Sequence, residues 1–382
     1  MPSNQNLNSC RKDIMLGLRE TGYLPFGFIK AVNTNTGAEV AAKGDVIKVP
    51  IGKAGAMIDT PVGFAFPNAA GSDVDSINME LQYSKTVPID WNGEDQKAMM
   101  NSGAWGTVLA QQFADAFGQI RDAIEKSVAE EAVKAASRAY GTAGTAPFAS
   151  GSSMADMANM KGILDLNKAP ATGRTIVLSS EAETSLLTNQ TNLIKVNEAG
   201  SDAMIRNGII MPVYGFNVRS SAQLEQHSKG SAASYVTDLA ATLPVGSQAI
   251  GIDTGTGTFN AGDVVTFTGD TNKYVVNAST ADSITIGEPG LRKTLANDVA
   301  VTLGNDYTPS IALHKSAIAL AIRPPKAPNE GDMMTRELIT DPYSGITFEV
   351  ALVKGQRVVQ YQVSAVWGVK AVNPAWIATL LG

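Results

Sequence analysis

Between Gly103 and Tyr140 the chain reads GAWGTVLAQQFADAFGQIRDAIEKSVAEEAVKAASRAY, without a proline and, past its start, with glycine only at Gly106 and Gly118. Leu109, Phe113, Phe117, Ile120, Ile124, Val128, Ala132, Ala135 and Ala139 recur at spacings of three and four, the α-helical period, so one stripe of the helix is apolar. The opposite face carries Asp115, Arg121, Asp122, Glu125, Lys126, Glu130, Glu131 and Lys134. Asp122 and Glu130 each precede a lysine, Lys126 and Lys134, by four residues, the favourable order for helix pairs. Gly141 is the expected stop. At ~1.5 Å rise per residue such a rod is roughly 50 Å long. That length suits a plate-like building block better than a compact enzyme.

The totals narrow the function classes. A chain of 382 residues, 44% of them hydrophobic, has room for two or three domains with real cores. A net charge of -6 and the lack of a long basic tract argue against direct electrostatic gripping of nucleic acid. The single Cys10 excludes an intrachain disulfide framework and a cysteine-rich metal module. MPSNQNLNSCRKD has no signal-peptide core and no long apolar run follows it, so the expectation is a soluble, cytosol-made protein with no membrane partner. Only 17% of residues are charged, as suits a surface covered by neighbours.

Along the chain, 1–37 reads as an arm, with a short amphipathic piece around Ile14, Met15 and Leu18 before Gly22, Pro25, Gly27 and Gly37. From Ala38 to Trp91 the period falls to two. Ile47, Val49 and Ile51 share one phase, and Ile77, Met79, Leu81, Tyr83, Val87, Ile89 and Trp91 continue another across the chain. The loose middle, with Pro61, Gly63, Pro67, Gly71 and Ser72, makes this a long hairpin that needs a partner to lie on. Asn92 to Gly103 is expected to be a hinge. After the long helix come a helix from Met154 to Asn167 and a buried strand from Thr175 to Leu178. A further helix follows near Glu181, capped by Ser179 or Ser180 with Glu183 placed for a capping box. Short strands are expected at Ile209 to Val213 and Phe216 to Val218. Between Leu239 and Asn305, strands at Ala249–Ile252, Val264–Thr268, Tyr274–Val276, Ser283–Ile286 and Val299–Leu303 are separated by turn clusters, as in a small β-barrel or sandwich inserted into the fold. The interrupted chain resumes at Ser310. Phe348, Val350 and Leu352, then Val359, Tyr361, Val363 and Trp367, form an antiparallel pair around the turn at Lys354–Gln356.

Chemistry is sparse. His227 and His314 stand far apart without a second ligand at metal spacing, so surface or interface histidines are the better reading. Gly251 to Gly257 (GIDTGTG) lacks the Lys-Ser/Thr of a phosphate loop and reads as a β-turn. Asp73 and Asp75 offer too few oxygens for calcium. Cys10 has no neighbour that would activate it, and the sequons at Asn189 and Asn277 carry no weight without a secretion signal. Trp91, Trp105, Trp367 and Trp376 are expected to pack in the core or at interfaces. No catalytic, cofactor-binding or metal-binding residue is assigned, and no enzyme activity or cofactor is expected.

In order, KAPATGRTIVLSS, NEAGSDAMIRNGIIMPVYGFNVRSS, IALHKSAIALAIRPP and DPYSGITFEVALVKGQRVVQYQVSAVWGVKAVNP resemble the major capsid (coat) protein of tailed bacteriophages, whose fold is shared with herpesvirus shells and encapsulins. The inserted β segment looks most similar to the coat proteins of short-tailed phages. The resemblance implies an α+β fold laid out as an N-terminal arm (1–37), an E-loop hairpin and hinge (38–100) and a peripheral domain (101–167) with its spine helix at 103–140. The axial domain would occupy 168–238 and 306–332, interrupted by an inserted β-barrel-like domain at 239–305, and the peripheral strands would return at 333–382. It further implies a homo-oligomer of hexamers and pentamers forming a procapsid and then an icosahedral virion around double-stranded DNA, assembled in the host cytoplasm. Scaffolding and portal proteins, and a decoration protein, are the implied partners. An encapsulin-like nanocompartment shell is the alternative. Some relatives weld subunits through Lys–Asn isopeptide bonds. Nothing pairs Lys43, Lys53 or Lys85 with Asn373, so assembly is expected to be non-covalent.

Overall fold

The long amphipathic stripe folds as one helix, Trp105–Lys134, about 45 Å of rod at ~1.5 Å per residue. The structure is a computed structural model of the chain and describes residues 13–16, 27–37, 39–52, 74–149, 154–190, 210, 212–328, 333–342 and 344–382. The helix stops short of the expected Tyr140. Ala135 closes it through its N–H to the Glu131 carbonyl, and the next residues turn into a strand, Arg138–Gly141. That strand lies parallel to Ile377–Leu381 and antiparallel to Lys273–Ser279. The Ser137 N–H and hydroxyl both donate to the Ile377 carbonyl, at 2.9 and 2.6 Å. Two flanking strands thus override the helix propensity of an alanine-rich tail, and Gly141 ends a strand rather than a helix.

The apolar stripe lies on a six-stranded sheet built around Val358–Ala371. One edge of this strand carries Tyr83–Asn92, in register from Val358↔Asn92 to Trp367↔Tyr83. The other edge is shared by Thr347–Lys354 and then Ile318–Arg323. Met334–Thr340 and a parallel Asn33–Thr36 complete the sheet. Period two decides what each face meets. Tyr361, Val363, Ala365 and Trp367 join the core beneath the helix, where Phe113 meets Tyr361 edge-on at 5.6 Å and Phe117 meets Phe348 at 5.0 Å. The Trp367 indole also donates to Ser127 Oγ at 2.9 Å. Val366, on the opposite face, packs with Ala319, Ala321, Met79 and Leu81.

Those last two residues are the root of the hairpin, Val46–Gly52 against Val74–Glu80. The second limb is not one strand from 77 to 91 as its alternation suggests. It breaks at Leu81 and Gln82, because Leu81 is pinned in the cluster while its N–H and C=O bond Asp45 and Gly44. Past the break the chain joins the body sheet. Gly368 permits the crossing, since a Cβ there would stand 2.3 Å from the Glu80 carbonyl. The hairpin's middle lies outside the described residues. Part of the expected arm is likewise body: Phe28, Ile29, Ala31 and Val32 are in the principal core, ahead of strand Asn33–Thr36. The expected hinge is a helix, Gly93–Asn101, whose cap Asn92 accepts from Glu94 and Asp95 N–H at 3.0 and 2.7 Å.

The second sheet has eleven strands, and Arg138–Gly141 is its pivot. On one side run Ile377–Leu381, Pro309–His314, Arg174–Leu178 and Asn217–Ser220. Helices Ala155–Leu166 and Ser180–Asn189 pack against this half. Ser179 caps the latter, so Ala182, not Glu183, occupies the capping-box position. On the other side Lys273–Ser279 leads to Ser283–Ile286, Ala249–Asp253 and Val236–Thr237 in one direction, and to Val264–Phe267 and Val301–Leu303 in the other. The ring closes where Val236 bridges Ala300 and where the Thr237 N–H meets the Val299 carbonyl at 3.0 Å. The result is a small closed barrel filled by Ile250, Ile252, Val265, Phe267, Val276, Ile284 and Ile286, leaving few free edges. Its core includes Ala232 and Tyr235, ahead of the expected start at 239.

Candidate assembly surface

Among the described residues, three elements offer surface left uncovered. The hairpin strands pair only with each other among the described strands, and Val46 is exposed while Ile47 and Val49 are half-buried at the root. Helix Gly93–Asn101 has no buried residue and presents Met100 to solvent. Strand Met334–Thr340 is an outer edge of its sheet, with Met333 84% exposed and Leu338 also open. Unpaired edges with apolar side chains are where another chain adds most readily.

The helix beneath is locked by buried charges that its polar stripe conceals. Arg121 and Glu125 belong to the face expected to meet water, yet both are buried. They do not pair with each other. The Arg121 Nη2 reaches the buried Asp341 at 3.1 Å; burial pulls the guanidinium below its ordinary pKa against the attraction of Asp341. Glu125 accepts from the Phe28 N–H at 3.1 and 2.9 Å, from the Ile29 N–H at 3.0 Å and from the Ser221 hydroxyl at 3.4 Å. Burial raises its pKa, and the donors pull only partly back. Of the expected helix pairs, Glu130–Lys134 forms at 3.7 Å, whereas Lys126 turns to Glu225 at 2.6 Å.

The neck of the barrel has its own clasp. His227 Nε2 lies 2.9 Å from Asp263 Oδ1, and the fully buried Asp263 also accepts from the Gly230 and Asn260 N–H groups. His314 Nδ1 instead accepts from the Ser316 N–H at 3.2 Å beside Trp376, and burial lowers its pKa. The two histidines are therefore in separate settings, and no group of three metal-type ligands occurs among the described residues. Gly251–Gly257 covers a strand end and a turn, where a Cβ on Gly255 would stand 2.2 Å from the Tyr235 ring. Asp75 bonds the Ser76 N–H, while Asp73, Cys10 and Lys53 lie outside the described residues. Lys85 sits over Trp367 at 6.0 Å and Asn373 donates to the Ser316 carbonyl. Trp91 stacks edge-on to Trp105 at 4.9 Å and donates to Gln112. No described helix is long and apolar enough to cross a membrane.

No family model and no curated protein matches the chain. Among solved structures, a cyanophage A-1(L) capsid asymmetric unit is similar at a TM-score of 0.49 and 12% identity, covering 96% of this chain and 92% of that one. A structure from Mycobacterium phage Che8 aligns at 0.46 and 15%, covering 94% and 92%. A virus-like particle from Pyrococcus furiosus aligns at 0.41 and 9%, covering 98% of each chain.

Proposed function

We propose that this chain is the structural subunit of an icosahedral bacteriophage capsid, self-assembling into hexamers and pentamers of a procapsid that comes to enclose double-stranded DNA. The observation that carries the reading is the hairpin Val46–Gly52/Val74–Glu80: a two-stranded ribbon rooted on the body at Met79 and Leu81, with Val46 exposed and no further described strand paired to it. Two strands alone are marginal in water, so the ribbon's stability is completed by a neighbouring copy. The uncovered helix Gly93–Asn101 and the open edge at Met334–Thr340 are further places for that neighbour. Weak contacts repeated over many copies close a stable shell.

In this reading the spine helix and its sheet form the stiff peripheral plate, and 168–238 with 306–332 the axial domain that gathers at the symmetry axes. The barrel, expected over 239–305 and also taking in Ala232, Tyr235 and strand Val236–Thr237, is the inserted domain. The arm ahead of residue 27 meets a scaffolding protein, a portal occupies one vertex, and a decoration protein binds outside. The net charge of -6 leaves the packaged DNA free to move within an acidic lining. The subunit acts through assembly in the host cytoplasm and resides in the virion.

The test is expression of the full chain, with and without scaffold, followed by sedimentation and electron microscopy. Closed shells are expected, and replacing 46–80 by a short Gly-Ser turn is expected to leave a folded subunit that forms none. A chain that stays monomeric at every concentration overturns the proposal. Particles filled with a protein cargo instead of DNA support the nanocompartment alternative.

A further inference from the structure

Where the barrel joins the body, a cleft of about 520 Å³ is lined by Arg138, Tyr140, Thr142, Asn159, Asn272 and Lys273 among others. Arg138 is 5% exposed, and of its three nitrogens only Nη1 has a partner, Asn272 Oδ1 at 3.2 Å. Its Nε and Nη2 are buried and unpaired. A second guanidinium, Arg292, lies close enough to repel it, and its own Nε is also buried without a partner. Arg292 is tethered through Nη2 to Asn167 Oδ1. Lys273 adds a third cation, its Nζ directed at the Gly141 carbonyl. The nearby carboxylate is Asp270, already accepting from the Tyr274 hydroxyl and from the N–H and amide of Asn272. Two cations, Arg138 and Lys273, thus line the cleft, with Arg292 close to Arg138 and the carboxylate of Asp270 already engaged.

Buried guanidinium groups with unfilled donors are costly to a fold unless an acceptor, water or anion, completes them, and beside a second cation an anion is favoured. A planar guanidinium fork matches the geometry of an oxyanion, and Arg138 lines the cleft with Nε and Nη2 still without a partner. We propose that this cleft binds a small oxyanion of the phosphate class, held by Arg138 with Lys273 and Asn272 and bridging the end of the spine helix to the inserted barrel. The bound anion ties together strands Arg138–Gly141 and Lys273–Ser279, the ladder through which, among the described strands, the barrel joins the body sheet. Burial and the neighbouring Arg292 hold the Arg138 pKa down to about 10, and a bound anion would raise it again.

The experiment is thermal unfolding of the full chain in inorganic phosphate against sodium chloride of equal ionic strength, with phosphorus NMR line widths as a second readout. A saturable rise of about 2 °C at ten times the dissociation constant is expected, because the ligand binds only the folded state. Arg138→Gln is expected to abolish both the rise and the line broadening. Lys273→Gln, at the mouth of the cleft and safer for folding, is expected to raise the half-saturating concentration about fivefold. A short duplex oligonucleotide tested in parallel separates free phosphate from a backbone phosphodiester as the source. Equal behaviour in phosphate and chloride, or an effect untouched by both substitutions, overturns the proposal.

Discussion

Glu125→Ala tests whether the start of the body is latched to the spine helix by one carboxylate. The side chain receives two consecutive backbone donors, Phe28 and Ile29, at 2.9–3.1 Å, and both residues are buried. Truncation orphans both N–H groups, at about 1–3 kcal/mol each. Against this, removing a buried carboxylate relieves the desolvation that raises its pKa. The net expectation is therefore near the lower end, about 2 kcal/mol, or roughly thirtyfold in the local opening equilibrium. Hydrogen exchange read on a peptide spanning 27–36 should accelerate by that factor, while peptides from Trp105–Lys134 keep their protection. Glu125→Gln, which retains one acceptor oxygen, should cost less than half as much. The pH dependence has a definite sign. A carboxyl whose folded pKa is raised above its ordinary 4.5 binds more protons folded than unfolded, so its contribution to stability is greatest below 4.5 and is lost as pH rises through the folded value. That slope should vanish in Glu125→Gln. Unchanged exchange at 27–36 in the alanine variant, or glutamine disrupting as much as alanine, would refute the latch.

Three further outcomes are expected from the geometry. Asn92→Ala removes the acceptor for the Glu94 and Asp95 N–H groups and should cost about 1 kcal/mol in chemical denaturation, with helix Gly93–Asn101 losing exchange protection first. Phe117→Ala empties the contact with Phe348 and Phe113 and should destabilise by about 3–5 kcal/mol, seen as a lower denaturation midpoint with an unchanged slope. Denaturing electrophoresis of assembled particles should give a single band near 40.0 kDa, and a ladder of larger species would establish covalent cross-links.

Much of the fold is written in local period, and what escaped is where a distant partner decides. The stripe from Leu109 to Val128 and the alternation of Ser283–Ile286 need no more than their own neighbours, and both elements form where the pattern places them. The tail 135–139 is as helix-permissive as what precedes it. Only the strands at 273 and 377 reveal it as sheet. The break at Leu81 leaves the alternation intact on either side, so no residue pattern could mark it. Barrel closure depends on Val236 meeting Ala300, a pairing invisible to any short window. Helix Gly93–Asn101 is different: Asn92 followed by Glu94 and Asp95 is a capping signal in plain sight. Arg121 and Glu125 were hidden for a physical reason, since charges default to solvent and only the partners at Asp341, Phe28 and Ile29 make burial tolerable. Of the assembly surface, the hairpin's existence was legible and its rooting on Val366 and Gly368 was not.

The short strand Arg138–Gly141 joins three parts of the chain that are far apart in sequence. It continues directly from the spine helix, takes the C-terminal strand Ile377–Leu381 along one edge and receives the barrel along the other. A helix running to Tyr140 would have left the barrel held by its chain crossings near His227 and Tyr307, by the Arg292–Asn167 bond and by Val264 and Val275 in the principal core, without a shared sheet. The short ladder Lys273↔Ala139 and Tyr274↔Arg138 instead continues the barrel into the body sheet, with the His227–Asp263 clasp at the neck. A displacement of the barrel is then passed to the long helix and to strand Ile377–Leu381 through the same four residues. The half-satisfied guanidinium of Arg138 sits on this strand, so whatever fills its cleft acts where barrel, helix and strand Ile377–Leu381 are joined.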